Sequence, residues 1–265
     1  MGVIFSRIND HPVNMAAHTF PGLYIGLSGL ELPIPKYQFP PEHQTSSRLT
    51  YYATFFNTIE VNSSFYKIPR ASTLTRWTSS VANDFVFTFK LFREVTHCKE
   101  LNFSPPVVEE FIQTINNIGE RKGCLLIQFP PSLRNEHVGQ LDKLLSTVKT
   151  ADPVNLWKVA VEFRFNGWYN QEVFDLLEES GATLVLHDIP KSATPMNKVS
   201  SGFVYVRFHG PTGNYRGSYT DAFLHEYAEY ITEWLSDGKQ VFVYFNNTAG
   251  DAFNNCQTLK SFLSN

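Results

Sequence analysis

Acidic, basic and amide side chains recur in this sequence at the ends of short apolar segments. Glu60 ends one such segment, Glu162 another, and Arg207 and His209 a third. Carboxylates and imidazoles can exchange protons with a substrate, and guanidinium groups match the geometry of carboxylates and phosphates. If the fold gathers these segment ends together, the chain carries the groups needed for acid–base chemistry on an anionic molecule.

The segments that carry these residues are typical of buried strands. Side chains on a strand alternate between two faces, so Glu60 and Asn62 share one face of their segment while Ile59 and Val61 share the other. One face is apolar throughout and the other becomes polar near the carboxyl end, as expected for a parallel sheet covered by helices. The segments are LYIGLSG (23–29), NTIEVN (57–62), FVFTFK (85–90), CLLIQF (124–129), KVAVEF (158–163), TLVLHD (183–188), FVYVRFH (203–209) and VFVYFNN (241–247).

Stretches with apolar residues at three- and four-residue spacing separate these strands and predict helices, for example over 48–56, 104–120, 138–148, 170–181 and 221–238. Alternating strands and helices in 265 residues predict a single (β/α)₈ TIM barrel. A doubly wound open sheet is the rival fold, but GLSG (26–29) is too short for the G-x-G-x-x-G turn that it would need. We assign residues 22–265 to the barrel and residues 1–21 to an N-terminal extension.

Composition indicates a well-packed domain without a broad nucleic-acid surface. Hydrophobic residues make up 43% and the formal net charge is −3, whereas a general nucleic-acid surface would be strongly basic. No apolar run approaches the roughly 18 residues of a membrane helix, and we expect no membrane partner. Cys98, Cys124 and Cys256 form neither a disulfide framework nor a zinc motif. With no signal-peptide pattern at the N-terminus, we predict a cytoplasmic location. No oligomeric state is predicted.

The candidate site lies where the strands end, because the carboxyl ends of barrel strands carry the chemistry in this fold. We assign proton transfer to Glu60, Glu162 and His209. Substrate binding is assigned to Asn62, Lys90, His97, Gln128, Arg164, Trp168, Arg207, Tyr244, Asn246 and Asn247. Trp168 is included because it follows Glu162 and Arg164 into a loop, where its flat ring could stack on a sugar or base.

A purely structural role for these charges is the alternative. Glu60, Glu162 and Asp188 could pair with Lys90, Arg164 and Arg207 simply to close the top of the barrel. Burying so many ions costs several kcal/mol per ion unless a ligand or partner compensates, so their concentration at one end favours a site. Each glutamate could still serve only to orient an arginine, and His187 could be a core histidine with all its hydrogen bonds made.

Several of these segments together resemble the domain of unknown function 72 family, also called YecE-like, over about residues 23–262. The resemblance implies a TIM barrel whose activity is not established. It falls on Glu60, Asn62, Lys90, His97, Gln128, Glu162, Arg164, Arg207, His209, Gly210, Asn246 and Asn247. The segments are TYYATFFNTIEVNSSFYKIPR (50–70), the F-x-F-x-x-K…TH pattern (87–97), QFPPS (128–132), VEFRFNGW (161–168), FVYVRFHGPTGNYRGSY (203–219) and VYFNNTAGDAFNN (243–255).

The chain departs from the family pattern at three positions. Leu27 replaces a threonine and Leu30 a tryptophan in the family's opening G-T-S-G-W, and Phe165 replaces a histidine after Arg164. These losses weaken any role for the first loop and remove one possible ligand group. The resemblance therefore implies that the family's chemistry is retained while substrate preference can differ.

Two classes of function follow from these residues. The first is an enzyme acting on a polar, anionic, sugar-like or phosphate-bearing small molecule, with hydrolysis placed ahead of isomerisation. The second is a non-catalytic barrel that binds a phosphorylated metabolite or nucleic-acid end as a sensor or adaptor. We predict no cofactor. A divalent metal is the alternative, since Glu60, Glu162, His187, Asp188 and His209 are suitable ligands, but no fixed-spacing motif appears and three cations would repel the ion.

Three further expectations can be compared with a structure. Glu60, Lys90, Gln128, Glu162, Arg207 and Asn246 should converge at the carboxyl end of the barrel. Replacing Arg207 by Met should abolish ligand binding while leaving the fold nearly as stable. The glycine-rich loop 209–219 and the segment 246–253 should hold a phosphate or sulfate in contact with Arg207, Asn246 and Asn247.

Overall fold

A computed structural model describes residues 20–154, 156–196 and 202–264. Eight parallel strands form a closed barrel in the order in which they occur along the chain, with β1 paired to β8. The predicted (β/α)₈ fold is confirmed. Most of the predicted extension, residues 1–19, lies outside the described residues. The strands are β1 Leu23–Ser28, β2 Thr58–Val61, β3 Val86–Lys90, β4 Lys122–Gln128, β5 Lys158–Glu162, β6 Thr183–His187, β7 Phe203–Phe208 and β8 Gln240–Phe245.

Helices cover the outside of the barrel, and polar side chains begin several of them. Asn170 Oδ1 accepts from the Val173 amide at 3.1 Å to cap α7. Between β6 and β7 the described residues contain no α-helix. The helices are α1 Arg48–Tyr52, α2 Ser63–Tyr66, α3 Ala71–Thr78, α4 Arg93–Thr96, α5 Pro105–Ile115, α6 Val138–Ala151, α7 Gln171–Ser180, α8 Asp221–Ser236 and α9 Ala252–Leu263. None of these helices is long and apolar enough to cross a membrane.

The helix predicted over 48–56 is shorter in the structure. It ends at Tyr52, and the next residues turn toward β2. The apolar spacing continues past the helix end because Phe56 is buried in the main core although it lies in the turn. Burial, rather than helical conformation, therefore accounts for the last part of the pattern.

The outward strand face and the helices form the larger of two cores. Ile59, Phe87 and Val161 are nearly inaccessible there and belong to the same cluster as buried helix side chains such as those of α5 and α6. A second, separate core fills the barrel's interior and includes Tyr205 and Tyr244. The alternation along each strand thus separates a helix-facing apolar side from an interior side that becomes polar toward the carboxyl end.

Tyrosine hydroxyls connect the barrel strands beneath the polar end. Tyr244 bonds the hydroxyls of Thr58 at 2.8 Å and Thr88 at 2.7 Å, and so joins β8 to β2 and β3 across the interior. On the outside, the Tyr52 hydroxyl of α1 accepts from the Leu27 amide at 2.8 Å and donates to the Thr58 carbonyl at 2.9 Å. These contacts position β2, which carries Glu60.

Candidate functional site

Arg207 lies at the centre of a buried ion cluster at the carboxyl end of the barrel, formed by Glu60, Glu162, Arg164, Arg207 and His209. Its Nε and Nη2 donate to the two carboxylate oxygens of Glu60 at 3.0 and 2.7 Å. Its Nη1 donates to Glu162 Oε2 at 2.6 Å. The fork on Glu60 and the bond to Glu162 use all three side-chain nitrogens, so Arg207 connects β2, β5 and β7.

Glu60 is enclosed by donors from two strands, β1 and β7. Ser28 Oγ donates to its Oε1 at 2.7 Å and the Tyr205 hydroxyl to its Oε2 at 2.5 Å, in addition to the fork from Arg207. The side chain is fully buried. Because the carboxylate is desolvated but fully hydrogen-bonded, its charge is held in place by the fold.

Glu162 is equally buried and is held by two arginines. Arg164 Nε donates to its Oε1 in a short contact, and Arg207 donates to its other oxygen. Burial alone would raise the pKa of Glu162, but the guanidinium groups of Arg164 and Arg207 outweigh burial and hold that pKa well below its usual range. The carboxylate is therefore ionised throughout the neutral range and is a poor proton donor.

His209 is a buried, neutral imidazole. Its Nε2 lies 3.1 Å from Arg207 Nη1 and 3.0 Å from Arg164 Nη2, and both of those atoms can only donate. Nε2 must therefore accept, which places the proton on Nδ1, 3.4 Å from Asp188 Oδ1. Desolvation is the main cause that lowers the pKa of His209, to about 4, and the two arginines add to the shift.

Lys90 lies at the end of β3 and is half-buried. Its Nζ donates to Gln128 Oε1 at 2.8 Å and lies 4.2 Å from the centre of the Phe65 ring. Within the described part of the chain it forms no salt bridge, unlike Arg164 and Arg207. Burial is the main cause that lowers the pKa of Lys90 to about 8, and the charge of Arg207 contributes.

The predicted convergence is confirmed in its main part. Glu60, Glu162 and Arg207 are in direct contact, and the Lys90 and Gln128 side chains bond each other across β3 and β4 at the same end of the barrel. Asn62 and Asn246 follow β2 and β8, whereas His97 follows the short helix α4. Asn62 donates to the Ser28 carbonyl at 3.4 Å, and the His97 ring forms a T-shaped contact with Phe65. The Asn246 backbone amide donates to the Phe208 carbonyl.

Three residues that we assigned to substrate binding are placed elsewhere. Trp168 is fully buried, donates to the Leu133 carbonyl at 3.0 Å and stacks on Phe163 at 4.7 Å, so its ring offers no face to a ligand. Tyr244 lies in the interior core beneath the ion cluster. Asn247 is fully buried and ties Gly217 to α9. Their aromatic or amide side chains suggested contacts with a substrate, but each of these side chains packs or bonds within the protein instead.

Two of the three residues expected to contact a phosphate already use their donors within the protein. The nitrogens of Arg207 already bond carboxylates, and Asn247 Nδ2 donates to the Gly217 carbonyl and to Asn255 Oδ1, both at 3.0 Å. The glycines of this loop serve tight packing instead. Gly210 has φ +92, and a Cβ there would lie 2.2 Å from the Arg216 carbonyl. The loops after β7 and β8 are therefore interlocked rather than open for an anion.

Both ring nitrogens of His187 make hydrogen bonds, which agrees with the alternative that His187 is a core histidine. Its Nε2 lies 2.9 Å from the Phe163 carbonyl, and its Nδ1 accepts from the Ile189 amide at 3.3 Å. Beyond the predicted residues, the structure adds Ser28 and Tyr205 on Glu60, and Tyr219 on Asp188. Strand alternation places Tyr205 on the same face as Arg207, but nothing local in the sequence connects Tyr219 with Asp188. Among the described residues, no group of three or more His, Cys, Asp or Glu side chains is arranged to hold a metal ion.

Comparison with known proteins identifies the family. The family described as "Protein of unknown function DUF72" matches residues 24–265. The chain belongs to the DUF72 family. The UPF0759 protein YunF of Bacillus subtilis is 23% identical, over 91% of this chain and 94% of YunF.

Solved structures of DUF72 proteins share the barrel. A DUF72 protein of Thermotoga maritima matches with a TM-score of 0.75 and 25% identity, over 92% of this chain and 99% of that one. A DUF72 protein of Enterococcus faecalis matches with a TM-score of 0.75 and 22% identity, over 92% and 96% of the two chains. The barrel and the family resemblance predicted from the motifs are thereby confirmed.

Proposed function

We propose that this DUF72 protein is an enzyme that transfers protons on a small, polar, anionic molecule, sugar-like or phosphate-bearing, at the carboxyl end of the barrel. The observation that carries the proposal is the unequal pairing of the three cations. Arg164 and Arg207 bond carboxylates, whereas among the described residues Lys90 Nζ donates only to the neutral Gln128 amide. A ligand's negative group can therefore pair with Lys90 without breaking an existing salt bridge.

Proton transfer is supported by the different protonation states gathered at this end. Lys90, with a pKa near 8, can give or take a proton close to neutral pH. Glu162 stays ionised and His209 stays neutral. We predicted proton transfer by Glu60, Glu162 and His209, but all three are fully buried. An entering molecule meets Lys90 and the partly exposed Arg164 first, so we assign contact to these two and assign electrostatic positioning to the ion cluster.

The same geometry favours isomerisation over hydrolysis, whereas the sequence alone placed hydrolysis first. Hydrolysis needs a base that can reach and activate a water molecule. The carboxylates that could do so are enclosed by donors, Glu60 by Ser28, Tyr205 and Arg207. Moving a proton within the ligand requires only an amine close to neutrality and fixed charges around it.

A non-catalytic sensor or adaptor is the second candidate. It is favoured by the saturation of Glu60 and Glu162, because a binder needs the cation of Lys90 but no accessible carboxylate. The ion cluster would then serve only to hold the strand ends in register.

Deuterium exchange separates these candidates. The protein is incubated in D₂O with a panel of sugar phosphates and 2-oxo acids, while thermal shift reports binding and proton NMR reports loss of C–H signals. We expect a stabilising ligand whose C–H beside the carbonyl exchanges, and exchange that is lost in Glu162→Gln but kept in the exposed control Glu172→Gln. Binding without exchange or bond cleavage would establish the sensor instead, and an absence of binding throughout the panel would contradict both.

A further inference from the structure

We propose that Lys90 is a nucleophile that forms an imine with the carbonyl group of an anionic ligand. This inference rests on the proposed function, since it narrows the substrate class to carbonyl-bearing anions such as 2-oxo acids and sugar phosphates in their open form. It also turns Lys90 from a charge that binds into a catalytic residue.

The environment of Lys90 suits a nucleophilic amine. A carboxylate partner would hold the ammonium form, and the described residues provide none in salt-bridge contact. Its acceptor is the Gln128 amide oxygen, which is oriented because Gln128 Nε2 donates to the Phe129 carbonyl at 2.6 Å. The hydrogen bond that Nζ donates to this fixed, neutral acceptor holds the nitrogen in place, and the described residues provide no second acceptor. The Phe65 ring at 4.2 Å covers one side of the nitrogen.

The charges around Lys90 act in the same direction. Arg207 and Arg164 on β7 and β5 disfavour the ammonium form, and burial adds to them, whereas Glu162 and Glu60 oppose the shift. The net result is a pKa of about 8, so an appreciable share of the amine is neutral in the physiological range. Arg164 is 11% exposed at the same end, and its Nη1 donates to the neutral Tyr215 hydroxyl at 3.2 Å, so this nitrogen can turn to the ligand's anionic group without breaking a salt bridge.

The step balances without an added reagent. The neutral amine adds to the carbonyl carbon, forming a C–N bond while the C=O π electrons move to oxygen, which takes up the proton lost from nitrogen. The carbinolamine then takes up one proton and expels water, which leaves a protonated imine on Lys90. Starting from the ammonium form, the sum is R–NH₃⁺ plus carbonyl giving R–NH⁺=C plus water, with no oxidant or reductant. The protonated imine makes the adjacent C–H acidic, and the released proton passes to solvent water, which is the exchange that the proposed isomerisation requires.

Reductive trapping tests this inference. The full chain is incubated separately with pyruvate and with glycolaldehyde in the presence of cyanoborohydride, and the labelled lysines are quantified by peptide mass mapping over time and pH. Lys260 is the internal standard, because burial also lowers its pKa but it lies on α9 and donates to the Phe55 carbonyl. We expect Lys90 to be labelled at least about tenfold faster than Lys260 and the exposed lysines, with a rate that rises through about pH 8.

Variants separate failure of the imine from failure of the proposed function. Lys90→Arg keeps a cation but cannot form an imine, and Lys260→Arg is the matched control. We expect Lys90→Arg to abolish the fast label while retaining thermal stabilisation by inorganic phosphate. Labelling of Lys90 no faster than that of Lys260 would overturn the imine. If deuterium exchange persisted in Lys90→Arg, the protein would still be an isomerase, but proton transfer would belong to a group other than Lys90 and the imine would be rejected. Fast labelling without exchange on any ligand would keep the nucleophile and reject the isomerase.

Discussion

At the scale of single residues, the buried arginine decides how much of the ion cluster is structural. Arg207 is 1% exposed, and its two carboxylate partners are 0% exposed. Removing this cation leaves Glu60 desolvated without a salt-bridge partner and takes away one of the two arginines that hold Glu162. The expectation that Arg207 is dispensable for folding therefore does not agree with its surroundings.

We now expect Arg207→Met to lower the free energy of unfolding by about 3–5 kcal/mol. Chemical denaturation of the variant beside the native chain measures this directly. Arg216→Met is the matched control, because Arg216 is exposed on the loop that follows β7 and its loss should cost under about 0.5 kcal/mol. Equal stabilities for the two variants would show that the buried salt bridges contribute nothing net.

The neutral His209 predicts a pH dependence of stability. Its folded pKa of about 4 lies below the ordinary value of 6.5, so between these values the unfolded chain binds a proton that the folded chain does not. The contribution is complete above pH 6.5 and is lost as the pH falls toward 4. We expect the free energy of unfolding to fall by up to about 3 kcal/mol across this range. His187, whose pKa burial also lowers, acts with the same sign.

Denaturation curves at several pH values, measured for a His209 variant and its control, test whether His209 causes the pH dependence of stability. His209→Gln should flatten the slope between the two pKa values even if its overall stability is reduced. His225→Gln should leave the slope unchanged, since His225 is exposed on α8. A slope that is the same in all three chains would assign the effect to other groups.

At the scale of secondary structure elements, helix α1 stabilises the barrel through the hydroxyl of Tyr52. Tyr52 bonds the Leu27 amide and the Thr58 carbonyl, and thereby joins adjacent strands β1 and β2 from outside the barrel. Tyr52→Phe leaves these backbone groups without their buried partner, and we expect a loss of about 1–3 kcal/mol in the free energy of unfolding. Tyr51→Phe is the control in the same helix, because its hydroxyl makes no hydrogen bond among the described residues. Urea denaturation of both variants should separate them clearly, and equal losses would contradict the role of the bridge.

The elements themselves could be predicted from the sequence because each strand repeats one alternation. The alternation of side chains along each strand placed Glu60, Glu162 and Arg207 on the inward face, and closure of the barrel brings these residues together. This alternation does not predict how far along the barrel axis an inward side chain lies. Tyr244 and Arg207 share an inward face, yet one supports the interior core and the other joins the ion cluster. Trp168 lies beyond a strand end, where only packing against Phe163 determines its position.

At the scale of the whole molecule, the loops after β7 and β8 lock the barrel's closing strands together. The Ala249 amide donates to the Tyr215 carbonyl at 3.0 Å and the Asp251 amide to the Gly217 carbonyl at 3.1 Å. Asn247 adds its side-chain bonds to Gly217 and Asn255. The segment that we expected to bind a phosphate instead joins two βα units.

Asn247→Ala should therefore affect stability and leave ligand binding unchanged. We expect a loss of about 1–3 kcal/mol from the two buried hydrogen bonds that Asn247 Nδ2 makes to Gly217 and Asn255, measured by denaturation. The midpoint of phosphate-induced thermal stabilisation should stay that of the native chain. Asn254→Ala, at an exposed position of α9, is the control for both measurements. A weaker phosphate response in Asn247→Ala alone would restore the original assignment.

Closure of the barrel has a consequence for the order of folding during translation. Strand β1 needs β8 as a neighbour, and the Cys256 thiol contacts the Gly26 carbonyl across 230 residues of sequence. Until β8 has left the ribosome, β1 presents an unpaired edge and the ion cluster lacks its final enclosure. Pairings of such long sequence separation form slowly, and open strand edges promote aggregation. Nascent chains stalled before β8 should therefore be sensitive to protease and bind chaperones, and resistance should appear only once this last strand is free to insert.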